Sequence, residues 1–147
     1  MSAARIWWIT EAVAGGPNPS LADLRDLLAE GFSSVVCLLD EGEPPAYEPT
    51  AARDLGYAFH HLPIADFTAP SPAQFQAFLD IATHSPGKTL VHCWGGLGRT
   101  GTMGAALYIA GGATATAAIA EIRTRRPGAI QSTLQQQALA ELEASLS

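Results

Sequence analysis

Apolar residues recur along this chain in two periods. Short runs rich in β-branched and aromatic residues fall at residues 5–9, 12–14, 34–39 and 57–62, with a further apolar pair at Leu90 and Val91. Runs of this length, bounded by glycine, proline and polar residues, predict strands. The stretch Gly15-Gly16-Pro17-Asn18-Pro19 closes the second of them. Elsewhere the spacing is helical. Leu21, Leu24, Leu27 and Leu28 predict a helix with Ser20 as N-cap, Asp23 at its third position and Gly31 at its end. Thr50 to Leu55 predicts a short helix stopped by Gly56. Ser71-Pro72-Ala73-Gln74 supplies an N-cap, a proline at the first helical position and a glutamine at the third. Phe75, Phe78, Leu79 and Ala82 give that helix one apolar face, and Pro86-Gly87 breaks it.

Three more helices are predicted after residue 98. One runs from about Arg99 to Ala110 and closes at Gly111-Gly112. One opens at Thr114 and reaches Arg126, before Pro127. The last starts at Ser132, with Gln135 at its third position, and continues through Leu134, Ala138, Leu142 and Leu146. Between the periodic segments lie an acidic, proline-rich loop at 40–49 and a second loop at 63–70. Strands lead and helices dominate later, which predicts an α/β fold: a central, mostly parallel sheet of about five strands flanked by about six helices.

At 147 residues the chain is expected to form a single domain spanning 1–147. Its 48% hydrophobic and 15% charged content suits a globular protein. No apolar run approaches the ~20 residues that span a bilayer. The opening Met1-Ser2-Ala3-Ala4-Arg5 has no basic region followed by an apolar core, so no leader and a cytoplasmic location are expected. The formal net charge is −6, with the one lysine, Lys88, set against seven arginines. That balance argues against a nucleic-acid or membrane partner. Two cysteines, Cys37 and Cys93, do not make a disulfide framework, and reduced thiols are expected.

Candidate chemistry centres on residues 88–101. A short apolar run leads into Cys93, then Trp94-Gly95-Gly96-Leu97-Gly98, then Arg99-Thr100-Gly101 and a helix. Strand, turning loop and helix N-terminus together make an anion site. The nucleophilic form of cysteine is the thiolate, and inward backbone N–H groups, a helix N-terminus and a guanidinium all favour it. The glycines let the loop backbone curl around a tetrahedral oxyanion. Arg99 can present two parallel donors to phosphate, which a lysine cannot. The Thr100 hydroxyl can donate to the Cys93 sulfur. Attack on a phosphomonoester also needs an acid for the leaving oxygen. Asp66, in the 63–70 loop between a strand and a well-capped helix, is the first candidate, and Asp40 is the second.

His92-Cys93-Trp94-Gly95-Gly96-Leu97-Gly98-Arg99-Thr100-Gly101 resembles the signature His-Cys-x-x-Gly-x-x-Arg-[Ser/Thr]-Gly of the cysteine-dependent protein tyrosine phosphatases. Pro63-Ile64-x-Asp66-Phe67-x-x-Pro70-Ser71 resembles the general-acid loop of the small dual-specificity members. Arg126-Pro127-Gly128-x-Ile130-Gln131, followed by Gln135, is similar to their C-terminal segment. The likeness covers nearly the whole chain and is strongest to the small single-domain atypical dual-specificity group. It implies the tyrosine phosphatase fold and hydrolysis of phosphotyrosine, with phosphoserine and phosphothreonine as further substrates. It implies a phosphocysteine on Cys93, phosphate held by Arg99 and the loop 94–99, Asp66 as acid and then base, and Gln131 positioning water. It implies no cofactor and no metal, and a monomer that takes a phosphorylated protein or peptide, with phosphate or vanadate as site ligands. The alternatives are a phosphoinositide or RNA 5′-phosphatase of the same mechanism, and a non-catalytic phosphate-binding module.

Other residues read more plainly. His92 is expected to bond the loop backbone. His60, His61 and His84 lack metal-ligand spacing. Cys37 reads as core, with a disulfide to Cys93 as the alternative. Phe67 suits either a substrate-ring contact or a loop anchor. Trp94 is a bulky occupant of a variable loop position, either lining the pocket or packing beneath it.

Overall fold

The computed structural model describes residues 5–147. Met1 to Ala4, which contribute to the leader reading, lie outside the described residues. The chain runs β1 (Trp7–Trp8), β2 (Val13–Gly16), α1 (Leu21–Ala29), β3 (Phe32–Cys37), α2 (Pro49–Asp54), β4 (Ala58–His61), α3 (Pro72–His84), β5 (Lys88–His92), α4 (Gly98–Ala110), α5 (Ala115–Arg125) and α6 (Thr133–Leu146). The five strands form one sheet in the order β1-β2-β5-β3-β4. All neighbours are parallel except the edge pair β1 and β2, which is antiparallel.

Alternation along the strands sorts the core into two layers. Ala14, Val35 and Leu90 face α1 and α2, where they meet Leu24, Leu27 and Ala52. Val13, Val36 and Val91 face the other way, onto Phe75, Phe78, Met103, Ile122 and Leu139 of α3 to α6. Helix α4 is buried along most of its length, from Gly98 to Ala106 and at Ile109. Its small residues, Gly101, Gly104, Ala105 and Ala106, let neighbouring elements approach from several sides.

Caps set the helix starts. Ser20, Ser71 and Ser132 each accept from the backbone N–H three residues on, and Asp23, Gln74 and Gln135 complete capping boxes. Thr114 caps α5 in the simpler way. Strand limits differ more from the sequence reading. Only Trp7 and Trp8 of residues 5–9 are strand, and β3 begins at Phe32 and ends at Cys37 instead of spanning 34–39. The Ser33-Ser34 pair hides the start of β3, where the register to β5 shifts between Phe32 and Ser34. Gly15 and Gly16 belong to β2 and do not close it. A Cβ on Gly15 would fall 2.7 Å from Thr100 Cγ2 and 2.9 Å from the Trp7 ring. Glycine there admits α4 and the Trp7 side chain against the strand.

Candidate active site

Ligand crevices in parallel sheets open at the carboxyl ends of the strands. Here those ends carry Pro17-Asn18 after β2, the 38–48 loop after β3, the 62–71 loop after β4 and Cys93 after β5. A cavity of about 190 Å³ lies among them, lined by Asp66, Phe67, Cys93, Trp94, Arg99 and Gln131, together with loop glycines and Leu97.

The loop 93–98 is held from outside through its carbonyls. Asn18 N–H donates to Trp94 O at 3.0 Å. The Trp7 indole N–H donates to Gly96 O at 3.1 Å. Gly101 N–H and Ile130 N–H both reach Leu97 O, at 2.9 and 3.3 Å. Every described peptide bond is trans. In a planar trans peptide the N–H points opposite to the carbonyl. Three outward carbonyls therefore turn the N–H groups of Gly95, Leu97 and Gly98 toward the inside of the loop. Gly96 N–H donates to Cys93 Sγ at 3.3 Å. Gly96 has φ +74°, and a Cβ there would sit 2.6 Å from the Gly16 backbone. The turn is thus open to glycine alone.

Arg99, on the first turn of α4, is 1% exposed. Nη1 and Nη2 donate to the two carboxylate oxygens of Glu43 at 2.5 and 3.0 Å, and Nη1 also donates to Ile64 O at 2.9 Å. Nε is buried without a hydrogen-bond partner among the described residues. Asp66 Oδ1 stands 3.6 Å from Nη2. Burial works against the guanidinium charge, but Glu43, Cys93 and Asp66 reverse it and hold the pKa above its ordinary value. The Arg99 hydrogen bonds hold the Glu43 carboxyl below the usual carboxylate range. Glu43 is braced by Asp40, whose N–H donates to Oε1 at 3.0 Å. Asp40 itself lies outside the cavity of Cys93, among the lining of a neighbouring cavity of about 210 Å³ with Cys37 and His61.

Asp66 is half exposed at the mouth of the site, and its Oδ1 also accepts from Phe67 N–H at 2.9 Å. Phe67 follows at φ +61° and is 55% exposed. A bulky residue in the left-handed region is strained by roughly 1–3 kcal/mol. Two glutamines pin this loop. Gln74 Nε2 donates to Pro63 O at 2.7 Å, and Gln135 Nε2 donates to Thr68 O at 3.2 Å. Gln135 Oε1 accepts from Gln131 N–H at 2.7 Å and from Ser132 N–H at 3.1 Å. One fully buried side chain thereby ties the Asp66 loop to the segment bearing Gln131. Ile130, at φ +60°, is also in the left-handed region. Arg123 donates to Ala129 O and Ile130 O at 3.0 and 2.8 Å and holds that bend.

His92 is fully buried. Its Nδ1 lies 3.3 Å from Cys93 O, and its Nε2 lies 2.7 Å from the Tyr47 hydroxyl. A carbonyl only accepts, so Nδ1 carries the proton and Tyr47 donates to Nε2. This is the neutral imidazole, and burial takes its pKa down to about 4. The Thr100 hydroxyl is buried and has no hydrogen-bond partner among the described residues; the donation to Cys93 expected from the sequence is not made in this geometry. Trp94 lies on the rim, 58% exposed, and does not pack beneath the loop. Cys37 pairs in register with His92, so its side chain lies on the α1–α2 face of the sheet, whereas Cys93 belongs to the opposite core layer. Both thiols are free. Among the described residues no group of three His, Cys, Asp or Glu is placed to hold a metal ion.

The sequence reading passed over Glu43, Trp7, Asn18, Tyr47 and Arg123. Glu43 had a weak signal: an acidic residue in a loop at the carboxyl end of the strand next to the cationic one. The others act through backbone carbonyls or a buried imidazole, contacts that no sequence spacing announces.

A thiol and a buried guanidinium, one after β5 and one on the first turn of α4, stand together at the carboxyl end of a mostly parallel sheet flanked by helices on both faces. Residues 4–139 match the family described as PTP-SAK, Swiss Army Knife protein, DSP-PTPase phosphatase domain, and the chain belongs to that family. Its fold is similar to the crystal structure of Tk-PTP in the active form, with a TM-score of 0.87 and 36% identity over 98% of this chain and 99% of that one. It is 42% identical over 86 residues to dual specificity protein phosphatase CDC14C of Symphalangus syndactylus, a match covering 57% of this chain and 18% of that protein. Cyclin-dependent kinase inhibitor 3 of Sus scrofa is 34% identical over 119 residues, 74% of this chain and 56% of that protein. The chain thus spans a small part of the CDC14 relatives and about half of the third.

Proposed function

We propose that the chain hydrolyses phosphomonoesters of protein substrates, phosphotyrosine first, through a phosphocysteine on Cys93. The observation that carries this reading is the buried Arg99, with Nε unpartnered, in the same small cavity as the Cys93 thiol, the inward N–H groups and Asp66. Phosphate oxygens would take those donors, which strengthen as charge builds on the equatorial oxygens. Sulfur attacks phosphorus, the phosphorus–oxygen bond of the ester breaks, and Asp66 gives its proton to the departing oxygen. Asp66, now a carboxylate, then takes a proton from water held near Gln131 as that water attacks the phosphocysteine. The products are phosphate and the free thiolate. Phe67 and Trp94, both exposed at the rim of the cavity, offer faces to an aromatic leaving group, which supports phosphotyrosine over the smaller esters.

The test is hydrolysis of an aryl phosphate, expected to be blocked by vanadate and indifferent to chelator. Cys93→Ser is expected to bind phosphate and release no product. Turnover in that variant, or full loss of activity on adding chelator, would refute the reading.

A further inference from the structure

Trp7 stands far from the catalytic loop in the chain and touches it in space. Strand β1 is the sheet edge, and β2 lies between it and β5. Two strand spacings, about 10 Å, separate the backbone of Trp7 from the strand that leads to Cys93. The indole crosses this gap over Gly15, its partner in register, where a Cβ would stand 2.9 Å from the ring. On the far side its N–H donates to Gly96 O at 3.1 Å, in a buried bond spanning 89 residues. The edge strand is fixed in turn by the helices. Arg125 Nη1, on α5, donates to Trp8 O at 3.2 Å, and the Tyr108 hydroxyl, on α4, donates to Ile9 O. Ile9 N–H donates to Val13 O at 2.9 Å and closes the turn to β2.

The Gly96 carbonyl decides which way the next N–H points. A peptide plane turns through ψ of one residue and φ of the next, and a glycine resists such a turn least. With Gly96 O drawn outward, Leu97 N–H faces the cavity of Cys93 and Arg99. Turned about, the plane would present Gly96 O there instead, a partial negative charge where phosphate oxygens must sit. The other outward carbonyls, Trp94 O and Leu97 O, are held by backbone N–H groups of Asn18, Gly101 and Ile130. Gly96 O is held by a side chain, so its orientation depends on which residue occupies position 7.

We propose that Trp7 is a positioning residue of the catalytic loop. Its indole N–H keeps the Gly96–Leu97 peptide in the orientation that receives phosphate, and edge strand β1 belongs to the active-site machinery for that reason. The inference rests on the phosphatase reading above. It adds to that reading a residue that touches neither substrate nor reacting atoms, placed at the opposite end of the sequence from the loop it serves.

The experiment compares the wild type with Trp7→Phe, Trp8→Phe and Ile9→Val. Trp8→Phe changes the exposed neighbour on β1, and Ile9→Val thins the core under the same edge without touching the loop. Three quantities are read: the urea midpoint, kcat/KM for an aryl phosphate, and the dissociation constant of inorganic phosphate from amide and indole N–H shifts. Kinetics and binding are measured where every variant is fully folded, so lost stability does not enter them. Trp7→Phe is expected to lower kcat/KM roughly tenfold to a hundredfold, as misdirected transition-state donors do. It should weaken phosphate binding by about tenfold, as loss of a hydrogen bond to a charged group does. The two control variants should stay within about twofold of the wild type in both, whatever their urea midpoints. In the wild type, phosphate should move the Leu97 amide and Trp7 indole resonances together. If Trp7→Phe does not fold, a benzothiophene in place of the indole keeps the ring volume, removes only the N–H and gives the same readings. Phosphate affinity and kcat/KM unchanged on loss of the N–H overturn the proposal, as does an equal loss in Ile9→Val. A wild type that binds phosphate but hydrolyses no aryl phosphate refutes the phosphatase reading, and phosphate binding alone then decides the role of Trp7. A wild type that neither binds nor hydrolyses refutes both.

Discussion

Arg99 is a buried cation with both terminal nitrogens on Glu43 and Nε without a partner. The pair fixes the plane of the guanidinium before substrate arrives, so Glu43 acts as a positioning residue. Glu43→Gln keeps the shape and removes the charge. It is expected to cost about 1–2 kcal/mol of stability, less than for a fully buried pair because Glu43 is partly exposed. It should also lower kcat/KM more than the loss of stability accounts for; denaturant midpoints and steady-state kinetics check both. His92 gives a pH dependence. Its folded pKa, about 4, lies below its value in an unfolded chain, so the unfolded state binds the extra proton as pH falls. Stability is therefore full above about pH 6.5 and is lost as pH falls toward 4. The loss amounts to about 2 kcal/mol between roughly pH 7.5 and 5. Urea titrations at the two pH values test this, and His92→Phe should flatten the difference. At this scale the reactive residues were legible because cysteine, glycine and arginine at fixed spacing serve one chemistry. Their supports, Glu43 and Tyr47, come from a loop whose course only tertiary structure reveals.

The loop after β4 and the start of α6 behave as one unit through Gln135. Its side chain bonds Thr68 O on one side and Gln131 and Ser132 N–H on the other. Gln135→Ala removes all three bonds. Asp66 and Gln131 should then lose their common anchor, and kcat should fall by roughly tenfold to a hundredfold, since small misplacements of reacting groups cost that much. Asp66→Asn separates the chemistry from the anchoring. It should slow esters with poor leaving groups by roughly 10²–10⁴ and leave good leaving groups far less affected. Equal losses for both classes would remove Asp66 from the acid role. Helices were legible from their caps, because Ser20, Ser71, Thr114 and Ser132 satisfy orphan N–H groups by a local rule. Strands were less so. Gly15 is a strand residue because α4 and Trp7 press against it, and nothing near it in sequence says so.

Across the whole molecule, the sheet divides the chemistry. The α3–α6 layer holds Cys93, while Cys37, Tyr47 and His92 lie on the α1–α2 side. The Cys37 and Cys93 side chains start on opposite faces of the sheet at its carboxyl edge. Cys37→Ser is therefore expected to leave the rate and reversibility of peroxide inactivation unchanged, as measured by activity before and after thiol reduction. The overall architecture was legible because short apolar runs alternate with capped helices. The convergence of four strand ends on one crevice was not, since strand order depends on pairing across the chain. In the proposed reaction phosphorus passes through the Cys93 sulfur. Rapid acid quench of the wild type with an aryl phosphate, followed by mass spectrometry of the Cys93 peptide, tests it most directly. A phosphoryl group on Cys93 within the first turnover is the expected result. Steady release of phosphate with no phosphorylated Cys93 at any time, and undiminished turnover in Cys93→Ser, would contradict it.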